Sequence, residues 1–140
     1  MVNLLTMTDR DVVAGVAQLA NLLNRRLAPM FERAGLTPQQ WGVLSVIAAA
    51  DQPLTLAAIA RELGVTKQNM TGMVSRLEQL GVAERLEDPA DLRSSRVQLT
   101  RKGRVTVDKL RQEYDAWVTG LGSDSLARAV NRLIEQLEAE

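Results

Sequence analysis

The chain has 140 residues, 46% apolar and 24% charged, and its 17 basic and 17 acidic side chains cancel. That is enough apolar sequence for one globular domain with a core, and it is not the composition of a disordered segment. With no cysteine and no histidine, disulfides, thiolate metal sites, thiol sensing and histidine acid–base chemistry are excluded, so neither metal nor cofactor is expected and the commonest hydrolytic enzymes are disfavoured.

The first predicted element covers Asp9 to Ala34. Val12, Val16, Leu19, Leu23, Leu27, Met30 and Phe31 recur there with a helical period, Pro29 removes one amide donor and Gly35 ends the run. Thr37 and Pro38 supply an N-cap and a first helical position for a second helix reaching about Ala50, with Trp41, Leu44 and Ile47 on one side. Asp51 to Pro53 is a turn. Leu54 can add a short strand, and Thr55 caps a third helix whose inward residues are Leu56, Ile59, Ala60 and Leu63.

Gly64 closes that helix and Thr66 caps a fourth, with Met70, Met73, Val74, Leu77 and Leu80 on one face and Gly81 as its stop. Two helices joined by a tight glycine turn are the helix-turn-helix pattern. Val82 to Leu86 and Arg96 to Leu99 both tolerate strand pairing around a polar loop, with Leu86, Val97 and Leu99 expected to face the core and Gln98 outward. Thr100 then caps a long helix carrying Leu110, Tyr114, Trp117 and Leu121, which Gly120 and Gly122 break. Ser123 or Asp124 opens a last helix with Leu126, Val130, Leu133, Ile134 and Leu137 on one stripe. The expected fold is mainly α, six helices with a small β-hairpin wing.

Zero net charge taken alone argues against a nucleic-acid partner, but the average hides a gradient. Residues 1–65 hold five charges of each sign, 66–104 eight basic and five acidic, and 105–140 four basic and seven acidic. The positive excess falls on the helix-turn-helix and its hairpin. If Met70, Val74 and Leu77 face inward, the helical rotation puts Gln68, Gly72, Ser75 and Gln79 outward, with Asn69 and Arg76 flanking them. Amides pair with adenine, guanidinium with guanine and hydroxyl with several base edges, while Gly72 lets the backbone come close to a groove floor. Thr66 and Lys67 stand at the helix start, where phosphate is the suitable partner. In the hairpin, Asp91 and Arg93 are two residues apart and can point to one side, so that the carboxylate extends the guanidinium toward a narrow minor groove, while Arg96 at the wing's base suits a phosphate.

These segments resemble the MarR family of transcription regulators. The resemblance rests on Leu36-Thr-Pro-Gln-Gln-Trp41, Leu63-Gly-Val-Thr66, Arg76-Leu-Glu-Gln-Leu-Gly81, Asp88-Pro-Ala-Asp-Leu-Arg93 and Val97-Gln-Leu-Thr-Arg-Lys-Gly103, in this order along nearly the whole chain. It implies a single domain over 1–140, in which 36–103 form a winged helix-turn-helix lobe and 1–35 with 104–140 supply dimerisation helices. It also implies that Arg93 is a wing-tip arginine oriented by Asp91, and that a homodimer binds a pseudo-palindromic operator in double-stranded DNA, commonly as a repressor. Leu92 stands where a second charged residue is frequent, and Gly72 where a larger polar side chain is frequent.

The dimer expectation has a physical ground too. The terminal helices offer more large apolar side chains than a small winged module can cover, and a partner copy covers them economically. Resemblance further implies a small aromatic or phenolic ligand, for which Met30, Phe31 and Trp41 could line a crevice and Arg26 or Arg33 supply a cation. The N-terminal stretch has no signal-peptide pattern and no apolar run is long enough to span a bilayer, so the expected location is cytoplasmic, with no membrane partner. The competing readings are a winged module for protein association or architecture, without ligand control, and an enzyme. The last is remote, because acids such as Glu32, Glu62 and Glu113 lack a nucleophile and base at useful spacing.

Overall fold

A computed structural model describes residues 9–88, 90–122 and 124–139. Its elements are α1 (Asp9–Glu32), α2 (Pro38–Ala49), β1 (Leu54–Thr55), α3 (Leu56–Leu63), α4 (Lys67–Gln79), β2 (Ala83–Asp88), β3 (Asp91–Leu99), α5 (Arg101–Val118) and α6 (Asp124–Glu138). The chain divides into two compact units, Met1–Val107 and Asp108–Glu140.

Within the first unit the helices begin where side chains can satisfy free amides. Thr37 Oγ1 accepts from Gln40 N at 3.2 Å and the Gln40 side chain accepts from Thr37 N at 2.9 Å, a reciprocal capping box with Pro38 as the first helical residue. Thr55 and Thr66 cap α3 and α4 through the hydroxyl, each accepting at 3.1 Å from the amide three residues on. Gly64 ends α3 with φ 68° and Gly81 follows α4 with φ 76°, left-handed conformations that a β-carbon disfavours. The tight turn between α3 and α4 depends on the first of these. Near its end α1 runs through Pro29, whose missing amide leaves one carbonyl of the preceding turn without its helical donor.

The sheet has the order β1-β3-β2, both pairs antiparallel. Leu54 lies opposite Val97 and Thr55 opposite Arg96, while Ala83, Glu84, Arg85 and Leu86 face Leu99, Gln98, Val97 and Arg96. The hairpin is longer than its sequence pattern indicates, because pairing continues out to Asp88 opposite Asp91. What reads as a polar loop from Glu87 to Ser95 is mostly strand. A register shift between Glu87 and Asp88 leaves residues 92–94 of β3 without opposite numbers on β2.

One facing assignment is corrected. Leu86 is 38% exposed, not directed into the core. Side chains directly across an antiparallel pair share a face, so with Val97 buried the inward position on β2 is Arg85, and Leu86 shares the other face with Arg96.

The core of this unit is made by Phe31, Leu36, Trp41, Val43, Leu44, Ile47, Leu56, Ile59, Met70, Val74, Leu77, Val82 and Val97. It holds the inward faces of α2, α3 and α4 together, as their periodicity predicts. The outer two-thirds of α1 behaves differently, with Val12, Val13, Val16, Leu19 and Leu22 exposed. In the second unit α6 has no buried residue, and Leu126, Val130, Ile134 and Leu137 are all exposed along one stripe. Helix α5 ends at Val118, so Leu121 lies beyond it, and α6 starts at Asp124; the alternative cap Ser123 lies outside the described residues.

Candidate nucleic-acid interface

Helix α4 buries Met70, Val74 and Leu77 completely and turns the opposite surface outward. Lys67, Gln68, Asn69, Gly72 and Arg76 are exposed, as is the capping Thr66. Among the described residues a β-carbon added at Gly72 would meet nothing within 4 Å outside its own helix backbone. The glycine leaves a shallow step in the middle of a polar face. Arg76 Nη1 donates to Gln79 Oε1 at 3.3 Å, an exposed contact that costs little to exchange.

Ser75 differs from its neighbours. It is half-buried, its hydroxyl donates to Thr71 O at 3.0 Å, and it accepts from Arg85 Nη2 at 2.8 Å. A hydroxyl has one proton to donate, and here it is directed along the helix and not outward. Arg85 also donates to Thr71 O at 3.2 Å, and its Nε lies 2.8 Å from Glu78 Oε1. That last contact is an ion pair without a well-directed hydrogen bond, since the buried Nε proton does not point along it. A tether from hairpin to helix therefore exists that periodicity did not reveal. Its signal was available only through register, because Arg85 is inward only once it is placed opposite Val97.

The hairpin carries the remaining candidates. Asp91 and Arg93 belong to β3; their side-chain pairing lies outside the described residues. Arg96 is exposed and donates to Pro53 O at 3.4 Å, which ties the wing's base to the turn before β1. On the same strand Gln98 donates to Glu84 at 2.6 Å across the pair.

Where the wing returns to α5 the backbone is stitched closely. Thr100 donates its amide to Val82 O at 3.1 Å and its hydroxyl to Gly81 O at 2.6 Å, while accepting from Gly103 N at 3.0 Å. Lys102 Nζ donates to Leu80 O at 3.0 Å, placing a cation at the carbonyl end of α4. These bonds join the end of the helix to the exit of the hairpin.

Of the residues expected to line a ligand crevice, two meet each other directly. Phe31 and Trp41 are buried and stacked on each other, ring centroids 5.6 Å apart, and serve as core. Arg26 and Arg33 are exposed and Met30 is half-buried. A distinct open cavity of about 520 Å³ lies between α2 and α3, lined by Ser45, Val46, Ala49, Ala50, Leu54, Ala58, Arg61 and Glu62. Among the described residues no cluster of acidic side chains could hold a metal ion, and no helix is long and apolar enough to cross a membrane.

Two capped helices around a glycine turn, the second with an open polar face, and a paired hairpin beside it define a winged helix-turn-helix protein. The MarR family model matches residues 34–94, which span α2 to the wing tip. The transcriptional activatory protein BadR of Rhodopseudomonas palustris is 35% identical over 97 residues, covering 68% of this chain and 55% of that one, so the chain spans little more than half of BadR. The protein Mb2034c of Mycobacterium bovis is 38% identical over 101 residues, covering 72% of this chain and 69% of the other. The crystal structure of the M. tuberculosis transcriptional regulator MosR in complex with DNA superposes with a TM-score of 0.77 at 26% identity, covering 91% of this chain and 96% of that one. The chain belongs to the MarR family, whose members are transcription regulators and not enzymes.

Proposed function

We propose that the chain binds double-stranded DNA sequence-specifically as a homodimer, at a pseudo-palindromic operator, and acts as a ligand-responsive repressor. The observation that carries the DNA reading is the outward face of α4, where Gln68, Asn69, Gly72 and Arg76 stand exposed over a buried Met70, Val74 and Leu77. Such a face offers amide and guanidinium groups suited to base edges in a major groove, with Thr66 and Lys67 at its phosphate end. In the reading carried over from the family resemblance, Arg93, with Asp91 as its partner, enters a narrow A·T-rich minor groove, and Arg96 at the wing's base meets phosphate. That MosR was crystallised with DNA supports the same reading.

The exposed apolar stripes of α1 and α6 support the dimer reading, in which a second copy covers them. Twofold symmetry then sets two recognition helices about 34 Å apart and requires an inverted repeat. An aromatic or phenolic ligand releases DNA only to the extent that it prefers the DNA-incompetent arrangement of the dimer. The ligand surface in this reading comprises Arg26, Met30, Phe31, Arg33 and Trp41, of which Phe31 and Trp41 are buried and stacked on each other.

Selection of bound fragments from random DNA tests the proposal. The expected product is an inverted repeat whose half-sites lie one helical turn apart, bound with strong salt dependence, and Arg93→Ala is expected to flatten the A·T preference at its flanks. Displacement by random competitor as readily as by the selected site would leave an association or architectural module instead. BadR is named an activator, so the position of the selected site relative to a promoter decides the sign of regulation.

A further inference from the structure

We infer that Arg85 is a positioning residue for DNA recognition, holding the wing at a set angle to α4 through Thr71, Ser75 and Glu78, and that Ser75 is thereby withdrawn from base reading. The inference rests on the DNA-binding reading and deepens it. Thr71, Ser75 and Glu78 are four and three residues apart, so they form one strip along the flank of α4, next to the face that carries Gln68 and Gly72. Arg85 reaches this strip from β2 with two donated bonds, at 2.8 and 3.2 Å, and an ion pair at 2.8 Å. On the same face of β2, Ala83 is buried and Glu87 is exposed. Arg85, between them, carries the contact to the helix.

The planar guanidinium suits this task, since it engages three groups at fixed relative directions where an ammonium would act as a point charge. Without it the hairpin beyond Ala83 keeps its strand pairing but loses this bracing against α4, and the wing and recognition helix no longer approach DNA as one rigid surface. The loss falls on specific binding, which needs both elements in register, and spares non-specific attraction to phosphate, which needs only charge nearby.

The test uses the full chain with its selected operator and with a random duplex of equal length, over a range of salt, beside thermal unfolding. Arg85→Ala is expected to weaken operator binding about tenfold, with random-duplex binding changed less than about twofold and the salt slope unchanged. Arg85→Lys recovers only part of the loss, Ser75→Ala selects the same base sequence as the parent chain, and the double variant is no worse than Arg85→Ala, as coupled residues require. Should Arg85→Ala fail to fold, Arg85→Gln and Glu78→Gln carry the same comparison. Unchanged operator affinity in folded variants overturns the inference. So does an equal loss on both duplexes with a salt slope shallower by about one, which would make Arg85 a direct phosphate contact. If the parent chain itself shows no preference among duplexes, the DNA reading fails first and this inference falls with it.

Discussion

Gly103 in the first turn of α5 lies against the backbone of Val82, so close that a β-carbon at 103 would fall on the Val82 carbonyl oxygen and 2.8 Å from its carbonyl carbon. The same carbonyl accepts the Thr100 amide at 3.1 Å, and the obstacle is therefore main chain that is already bonded. Gly103→Ala must push α5 away from the start of β2 or break that bond. A loss of about 3 kcal/mol is expected, at the upper end for overpacking because no flexible side chain can yield. Urea unfolding at fixed protein concentration checks it, through a lower midpoint at an unchanged slope.

Gly72 predicts the opposite sign. Among the described residues nothing outside its own helix backbone lies within 4 Å of its missing β-carbon, so Gly72→Ala is expected to stabilise the free protein by up to about 1 kcal/mol through helix propensity. The same methyl projects from the face proposed to meet DNA. Operator affinity is expected to fall as stability rises, and a titration beside a melting curve separates the two; a variant that gains stability at full affinity would show that the groove floor does not approach this point.

The stacked pair of Phe31 and Trp41 gives a third expectation. Phe31 has no exposure at all and shares its ring contact with a nearly buried indole. Phe31→Ala leaves a cavity in the lobe's core and is expected to cost about 3–5 kcal/mol. Chemical denaturation measures it, and a cost below about 1 kcal/mol would mean that this ring faces a space already open to ligand.

The apolar stripe of α6 gives the fourth. Val130 and Ile134 are nearly half exposed on a helix with no buried residue. Val130→Asp places a charge where a partner copy would have to desolvate it. Sedimentation equilibrium is expected to move from dimer to monomer, and operator binding to weaken with it. A variant that stays dimeric would assign the two-fold contact to other residues.

Each helix was legible in the sequence because its cause is local. Thr37, Thr55 and Thr66 cap where a hydroxyl precedes an apolar period, Gly64 and Gly81 stop where only a left-handed residue fits, and the inward Met70, Val74 and Leu77 follow from 3.6 residues per turn. The outward set on α4 follows from the same rotation, and so Gln68, Asn69, Gly72 and Arg76 could be named in advance. Pairing across the hairpin could not. A strand has period two, and which of Arg85 and Leu86 turns inward depends on which residue of β3 stands opposite, a fact stored in neither strand alone.

What the sequence by itself determined, then, is the order of helices, the caps Thr37, Thr55, Thr66 and Thr100, and the polar face of the second helix of the helix-turn-helix, all set by interactions reaching no further than one turn. Only the tertiary structure decided that Leu86 points outward, that Ser75 bonds to Arg85, that Phe31 closes on Trp41 and that Gly103 must be bare. Those depend on groups that are distant along the chain or brought together by strand register, and packing selects them by distance and direction in space.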